Sequence, residues 1–358
     1  MTTVERAENL RKTMDAAKVR NIIFPVFGIL FLVLFGILAA SWGAASISAG
    51  DVLRSVAAKL FGISGIETNR LADTIVWSLR LPRIAMAIVA GAGFAVSGAA
   101  MQGILRNPLV SPFTIGISSG AGFGASLAIV MGFGILSSGQ YLVIGNAFFF
   151  AILSTALVYG VARLRGVSPE TLILAGIALM YLFSASTSML QYVATEHQLQ
   201  GVVFWLFGSL ASATWKSLSI VTLVFVISFP LLMKYAWDLN ALAAGDEVAV
   251  SLGINAGRVR MAVMILASLI TATIICFTGI IGFVCLVAPH ITRMMTGGDH
   301  RFLIPFSSIV GAILLLAADT VGRTVMAPAE LPVGIVTAFI GVPMFLYLLI
   351  TKRRQYFQ

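Results

Sequence analysis

At 358 residues, with 59% apolar and only 10% charged side chains and a mean hydropathy of +1.00, the chain has too little polar surface to clothe a soluble globule. The apolar runs are continuous instead of alternating, which excludes a β-barrel, and 34 glycines favour helices packed closely in a membrane. The formal charge of +9 is read first as topology, and Cys276 and Cys285 lie in apolar runs without metal-ligand or disulfide spacing, as packing residues.

In chain order, the basic residues Arg6, Arg11, Lys12, Lys18 and Arg20 belong to a tail of residues 1–21 and precede an apolar run from Ile22 to Ser41. That run is longer than a signal-peptide core and predicts an uncleaved first span with the N-terminus inside. An outside loop over 42–80, with a short helix after SAGD, leads to apolar segments at 84–105, 113–131, 141–162, 171–193, 218–233, 261–280, 281–291, 302–322 and 332–351. With the first run they make ten spans in one transmembrane domain of residues 22–351, followed by a tail at 352–358. The segment 281–291 is too short to cross alone, and QGVVFWLFGSL, 200–210, reads as re-entrant or interfacial. An even count puts both termini on one side. Sixteen of the 23 lysines and arginines then fall inside, among them Arg106, Arg163, Arg165, Arg293 and Arg301, so that side is the cytoplasm. Gly91, Ala95 and Ala99 recur every four residues and give one span a face of small side chains.

Three stretches stand out. LAAGDEVAVSLGINAGRVR, 242–260, packs acids, arginines and glycines into a greasy chain. Asp246 and Glu247 follow Gly245 at the positive end of a short helix, and Gly253 is suited to end it in a left-handed turn. Val248 and Leu252 share a face, so this helix, turn, helix shelf fits either a groove on another protein or a loop lying on lipid headgroups. LRNPLVSPFTIGISSGAGFGA, 105–125, contains GISSG, a formal match to the G-x-S-x-G elbow of serine hydrolases. That motif needs a strand before it, and His197, His290 and His300 show no acid-partner pattern, so Ser118 and Ser119 read as a packing point at a helix start. Finally, Arg80 and Arg83 in SLRLPR, with Arg323, sit at the outer ends of spans. There they either snorkel to lipid phosphate or await an acidic partner, while Asp319 and Arg323, at i and i+4, are placed to pair.

Absences narrow the function. The chain has no G-x-x-x-x-G-K-[ST] loop with which to hydrolyse ATP, and almost no ionisable residue inside a span apart from Asp319, so neither ATPase activity nor ion-coupled transport is expected of it alone.

Six blocks in order then carry a family resemblance: RLPRIAMAIVAGAGFAVSGAAMQGILRNPLVSPFTIGISSGAG, LILAGIAL, VFWLFGSLASATW, AAGDEVAVSLGINAGRVR, GFVCLVAPHITRMMTGGDHRFLIP and ADTVGRTVMAPAELPVGIVTAFIGVPMFLYLL. From about residue 22 to 353 the chain resembles the FecCD-type permeases of ABC importers for iron-siderophore chelates, haem or cobalamin. The resemblance implies an all-α polytopic permease of the prokaryotic plasma membrane with about ten spans and both termini cytoplasmic, and not an enzyme. It implies coupling helices at about 239–257 that seat on a cytoplasmic ATPase through Gly245, Glu247, Ser251, Leu252, Gly253 and Arg258. It implies docking of a substrate-binding protein at Arg80, Arg83 and Arg323, and a structural or gating loop containing Asn107, Pro108, Gly116, Ser118, Ser119 and Gly120. By the same resemblance the permease works as a homodimer with two ATPases that use ATP and Mg, itself holding no cofactor or metal and no nucleic acid. Residues 171–210 and the tenth span are expected to line the path. The family's NPLADP-like loop reads NPLVSP here. Ferric siderophore is the expected cargo; haem and cobalamin stay open, and an ion-coupled carrier is the alternative class.

Overall fold

A computed structural model of the protein describes residues 23–43, 47–61, 70–134, 136 and 139–351, and the regular elements among them are all helical. Both tails, and the basic residues on them, lie outside the described residues. Among the described residues, seven helices are long and apolar enough to cross a membrane. They are α1 (Ile23–Ser41), α3 (Leu71–Leu105), α5 (Gln140–Arg165), α6 (Pro169–Val193), α8 (Trp215–Lys234), α11 (Ala256–Thr278) and α13 (His300–Thr324). The apolar helices α4 (Ile117–Met131), α12 (Val284–Thr296) and α14 (Val333–Thr351) take the three remaining places in the expected order. Between spans lie α2 (Ala49–Phe61), α7 (Glu196–Phe207), α9 (Ala236–Ala243) and α10 (Asp246–Ser251).

The second span corrects its expected start at residue 84, because the helix is continuous from Leu71. Arg80 and Arg83 mark the stretch as polar in sequence, but both side chains are buried inside the protein with partners, so their charges do not stop the span. Residues Ile75–Arg80 form a π-helical segment, in which the Leu81 amide bonds to Val76 O ahead of Pro82, which has no amide to offer. At the other end Arg106 adopts a left-handed conformation and Asn107 N–H reaches back to Gln102 O, closing the helix. The Asn107 side chain then accepts from Leu109 N–H at 2.9 Å, which shapes the turn through Pro108.

The centre of the bundle is the pair α3 and α13. A Cβ on Gly91 would lie 2.3 Å from Gly311 O, so the two backbones touch, and Ala95 and Ala99 on the same face are fully buried. Helices α4 and α5 meet in the same manner where Gly120 and Gly124 oppose Phe150 O and Asn146 O. The GISSG stretch is therefore a packing point: a 3-10 turn at Pro112–Ile115 precedes it in place of a strand, and Ser118 and Ser119 are half-buried on the first turn of α4.

The expected boundary between the seventh and eighth segments moves. Gly279–Phe283 is non-helical, and α12 begins at Val284 and runs to Thr296, because Gly279 and Phe283 both take positive φ. The short helix expected at 200–210 is α7. Thr195 and Gln198 close a capping box at its start, and Gln198 Nε2 donates to Val130 O at the end of α4. Its C-terminal end abuts the 279–283 break, where Ser209 N–H donates to Thr278 O at 2.7 Å. An apolar cleft of about 550 Å³ lies there, lined by Leu206, Phe207, Ile280, Phe283, Ile335 and Phe339.

Candidate functional site: a shelf at one end of the bundle and an arginine cluster at the other

The shelf consists of two short helices, α9 and α10, and starts at residue 236, earlier than the expected 239. Leu239, Leu242 and Ala249 are fully buried and seat it, α9 against α3 and α13, α10 against α9 and α11. Gly245, with φ +119°, makes the corner between them, and Gly253, with φ +78°, ends the second. Asn255 caps α11 by accepting from Arg258 N–H at 3.0 Å. The outward side carries Trp237, Val248, Val250 and Leu252, all exposed, and among the residues expected to meet an ATPase, Glu247, Ser251 and Arg258 are exposed as well. The Ser251 hydroxyl is turned onto its own helix, donating to Val248 O.

Two polar ties fasten this shelf, and neither was anticipated from sequence. Asp246, the first residue of α10, takes Arg260 Nη2 at 2.6 Å and lies 3.7 Å from Arg106 Nη1. Arg260 is only 2% exposed; its Nε donates to Ile104 O and its Nη1 to Val167 O, both at 3.1 Å. One guanidinium thus joins α10, α11, the end of α3 and the turn before α6. The hydrogen bond from Arg260 holds the Asp246 carboxyl below its ordinary range, against partial burial, which acts the other way. The available signal was the position of Arg260, one residue before an apolar run.

The second tie holds α9. Asn240 Nδ2 donates to Asp299 Oδ1 at 2.7 Å, and Asn240 Oδ1 accepts the His300 backbone N–H at 2.8 Å and faces His300 Nδ1 at 2.8 Å. Because an amide oxygen only accepts, His300 carries its ring proton on Nδ1. Asp299 also caps α13 and forks with Arg301, whose guanidinium stacks 3.9 Å over Trp237. The Arg301 hydrogen bond leads the forces that hold the Asp299 carboxyl down to about 2.

At the opposite end lie the three arginines, and Arg83 and Arg323 have acidic partners within the chain. Arg80, Arg83 and Arg323 are 7%, 8% and 6% exposed, and each is engaged within the chain. Asp319, fully buried, takes Arg83 Nε at 2.9 Å on one oxygen and Arg323 Nε at 3.0 Å on the other. Arg83 Nη1 also meets Glu330 at 2.6 Å, Arg323 donates to Trp42 O and Ala39 O, and Arg80 donates to Ala40 O and Ser41 O. The i,i+4 pair of Asp319 and Arg323 forms as the spacing implies; Arg83, 236 residues away in sequence, completes it. These side chains lock the ends of α1, α3 and α13 together, in place of projecting toward lipid or solvent.

A bundle of long apolar helices with a polar shelf fastened to one end, a buried ion cluster at the other and an apolar cleft at a helix break defines a multi-pass membrane protein. The sequence profile of the FecCD transport family matches residues 30–351, and the chain belongs to that family. A protein of Methanocaldococcus jannaschii described as an ABC transporter permease is 46% identical over 339 residues, covering 92% of this chain and 95% of the relative. The hemin transport system permease protein of Yersinia pestis is 36% identical, covering 92% of this chain and 96% of its own. A solved structure described as the inward-facing conformation of a metal-chelate type ABC transporter superposes with a TM-score of 0.79 at 34% identity, covering 91% of this chain and 98% of that one.

Proposed function

We propose that the protein is the permease subunit of an ATP-driven importer of ferric siderophores, working as a homodimer with two ATPases on the shelf side and a substrate-binding protein on the other. The observation that carries this reading is the shelf: exposed Val248, Val250, Leu252 and Trp237 form a ridge that the bundle does not cover, on helices tied firmly to the spans behind it. A motor gripping that ridge would move the spans with it. Gly245, Glu247, Ser251, Leu252, Gly253 and Arg258 supply the corner and rim of this handle. The cytoplasmic location of the shelf and of both termini rests on the sequence asymmetry, in which sixteen of the 23 lysines and arginines fall on that side of a ten-span chain.

Arg80, Arg83 and Arg323 then serve docking from beneath, by holding the helix ends that form the mouth. Asn107, Pro108, Gly116, Ser118, Ser119 and Gly120 shape the entry to α4. Apolar walls in the cleft near the helix break suit a bulky chelate that is held weakly in transit, and the hemin permease and metal-chelate transporter support the cargo class.

The test is uptake by proteoliposomes containing the permease, its cognate ATPase and binding protein, supplied in turn with a ferric siderophore, hemin and cobalamin. ATP-dependent accumulation of the ferric chelate is expected. Accumulation of hemin or cobalamin alone would reassign the cargo, and uptake driven by a proton gradient without the ATPase would overturn the class.

A further inference from the structure

A second apolar crevice, of about 370 Å³, lies between α1 and α3 toward the end of the bundle that carries the arginine cluster. Leu32, Gly36 and Ala40 of α1 and Ile84 and Ile88 of α3 form its walls, and Trp215 closes one side. From Leu32 to Ala40 it follows eight residues of a spanning helix, about 12 Å at the usual rise, most of the ~15 Å of hydrocarbon in one leaflet. Trp42, Trp77 and Trp215 stand at this end of α1, α3 and α8, the level at which tryptophan meets lipid headgroups. Val33 and Leu53 on the rim are exposed, so at that depth the crevice opens to lipid.

Helix α2 brings a charge to it. Val52 and Val56 line the crevice and Lys59 follows one turn later, so the three share one face of α2 at i, i+4 and i+7. The Lys59 ammonium stands 5.0 Å over the Trp77 ring, Trp77 packs on Trp215 with centroids 5.8 Å apart, and Trp215 Nε1 donates to Trp77 O at 2.8 Å. A cation is thus seated on aromatic rings beside the crevice, at headgroup level. Arg54 lies on the opposite face of α2, where it pairs with Asp51 at 3.7 Å. We infer that the crevice binds an anionic phospholipid, one acyl chain lying between α1 and α3 and the phosphate meeting Lys59. The inference rests neither on the cargo nor on the ATPase.

Native mass spectrometry of the full-length permease, titrated with palmitoyl-oleoyl phosphatidylglycerol or phosphatidylcholine, tests it. The first phosphatidylglycerol is expected to bind about fivefold more tightly than the first phosphatidylcholine, the attraction of one lysine for anionic lipid. Lys59→Gln, at an exposed position, should abolish that preference, and Arg54→Gln should keep it. A Cβ on Gly36 would touch only Ile84, at 3.8 Å, so Gly36→Leu should fill the space for the chain and weaken both lipids. Equal loss of preference in Arg54→Gln and Lys59→Gln would mark diffuse attraction to a basic surface and overturn the site, as would a Lys59→Gln protein that keeps the preference. Phosphatidylglycerol carried by the monomer but absent from a dimer would assign the crevice to a second copy of the chain and overturn it also.

Discussion

Asp246 and Arg260, fourteen positions apart, meet at 2.6 Å where α10 begins and α11 enters the bundle. The two ends of this pair are unequal, since Asp246 is partly solvated while Arg260 is buried. Asp246→Asn leaves Arg260 with two carbonyl partners and a neutral oxygen, and is expected to cost about 1 kcal/mol, a charge-assisted bond discounted for exposure. Arg260→Met removes the fork and leaves the Ile104 and Val167 carbonyls unpaired at the base of the shelf, a loss of about 2–4 kcal/mol. Thermal unfolding in detergent should rank Arg260→Met well below Asp246→Asn and wild type. Equal midpoints for the two variants would show that the three-way junction contributes nothing beyond the ion pair.

Asp319 is the only acid inside the span α13 and faces two arginines. Asp319→Asn keeps the shape but leaves Arg83 and Arg323 buried with less countercharge, with an expected loss of about 3–5 kcal/mol, as for other broken buried pairs. Glu330→Gln, acting on an exposed partner of Arg83, should cost under about 1 kcal/mol. Purified yield and unfolding midpoint of the two variants check the contrast. A stable Asp319→Asn protein would mean that lipid or water reaches the cluster.

The membrane spans were legible because each needs about twenty apolar residues, and the apolar runs mark nearly all of them. The shelf was legible because Gly245, Asp246 and Gly253 bring a corner, a helix start and a helix stop within nine residues. What sequence concealed were the partners. Arg83 reads as a surface cation because its acid lies 236 positions away, and the second span reads short for that reason. Asn240, in a run of ordinary helix formers, gives no sign that Asp299 and His300 fold onto it. Long-range pairing of polar groups depends on which helices become neighbours, and local pattern carries no record of that. The border between the seventh and eighth segments is hidden because Phe283 takes a positive φ that its identity does not announce.

The shelf's acids also set a pH limit. Asp299 is held at about 2 and Asp246 below its ordinary range, chiefly by hydrogen bonds from Arg301 and Arg260. A carboxyl depressed on folding stabilises the protein fully above its unfolded value, near 3.9, and that contribution fades as pH falls toward the folded value. Stability attributable to the two ties should therefore be flat above about pH 5 and decline between about pH 4 and 2. Unfolding midpoints across pH 3 to 7 for wild type and Asp299→Asn test this: the difference between them should shrink as the medium is acidified. A difference that stayed constant down to pH 3 would exclude Asp299 as the titrating group.

Two glycines distinguish the contribution of packing from that of backbone conformation. Gly98 of α3 lies against α12, where an added Cβ would come 1.9 Å from Cys285 O, a backbone atom that cannot give way without moving its helix. Gly245 at the shelf corner has nothing within 4 Å of its missing Cβ, but its φ of +119° is one that other residues rarely adopt. Gly98→Ala is therefore expected to push the core helices α3 and α12 away from each other, at about 3 kcal/mol or more. Gly245→Ala should cost about 1–2 kcal/mol, either as strain or by letting the corner relax to a new angle between α9 and α10. The second variant should thus purify, while uptake in the proposed assembly with an ATPase falls, because the corner at Gly245 sets how the exposed side chains of α9 and α10 lie relative to each other. If Gly245→Ala transported normally, the corner angle would be of no consequence to the proposed ATPase contact, and the shelf would have to act through one of its two helices alone.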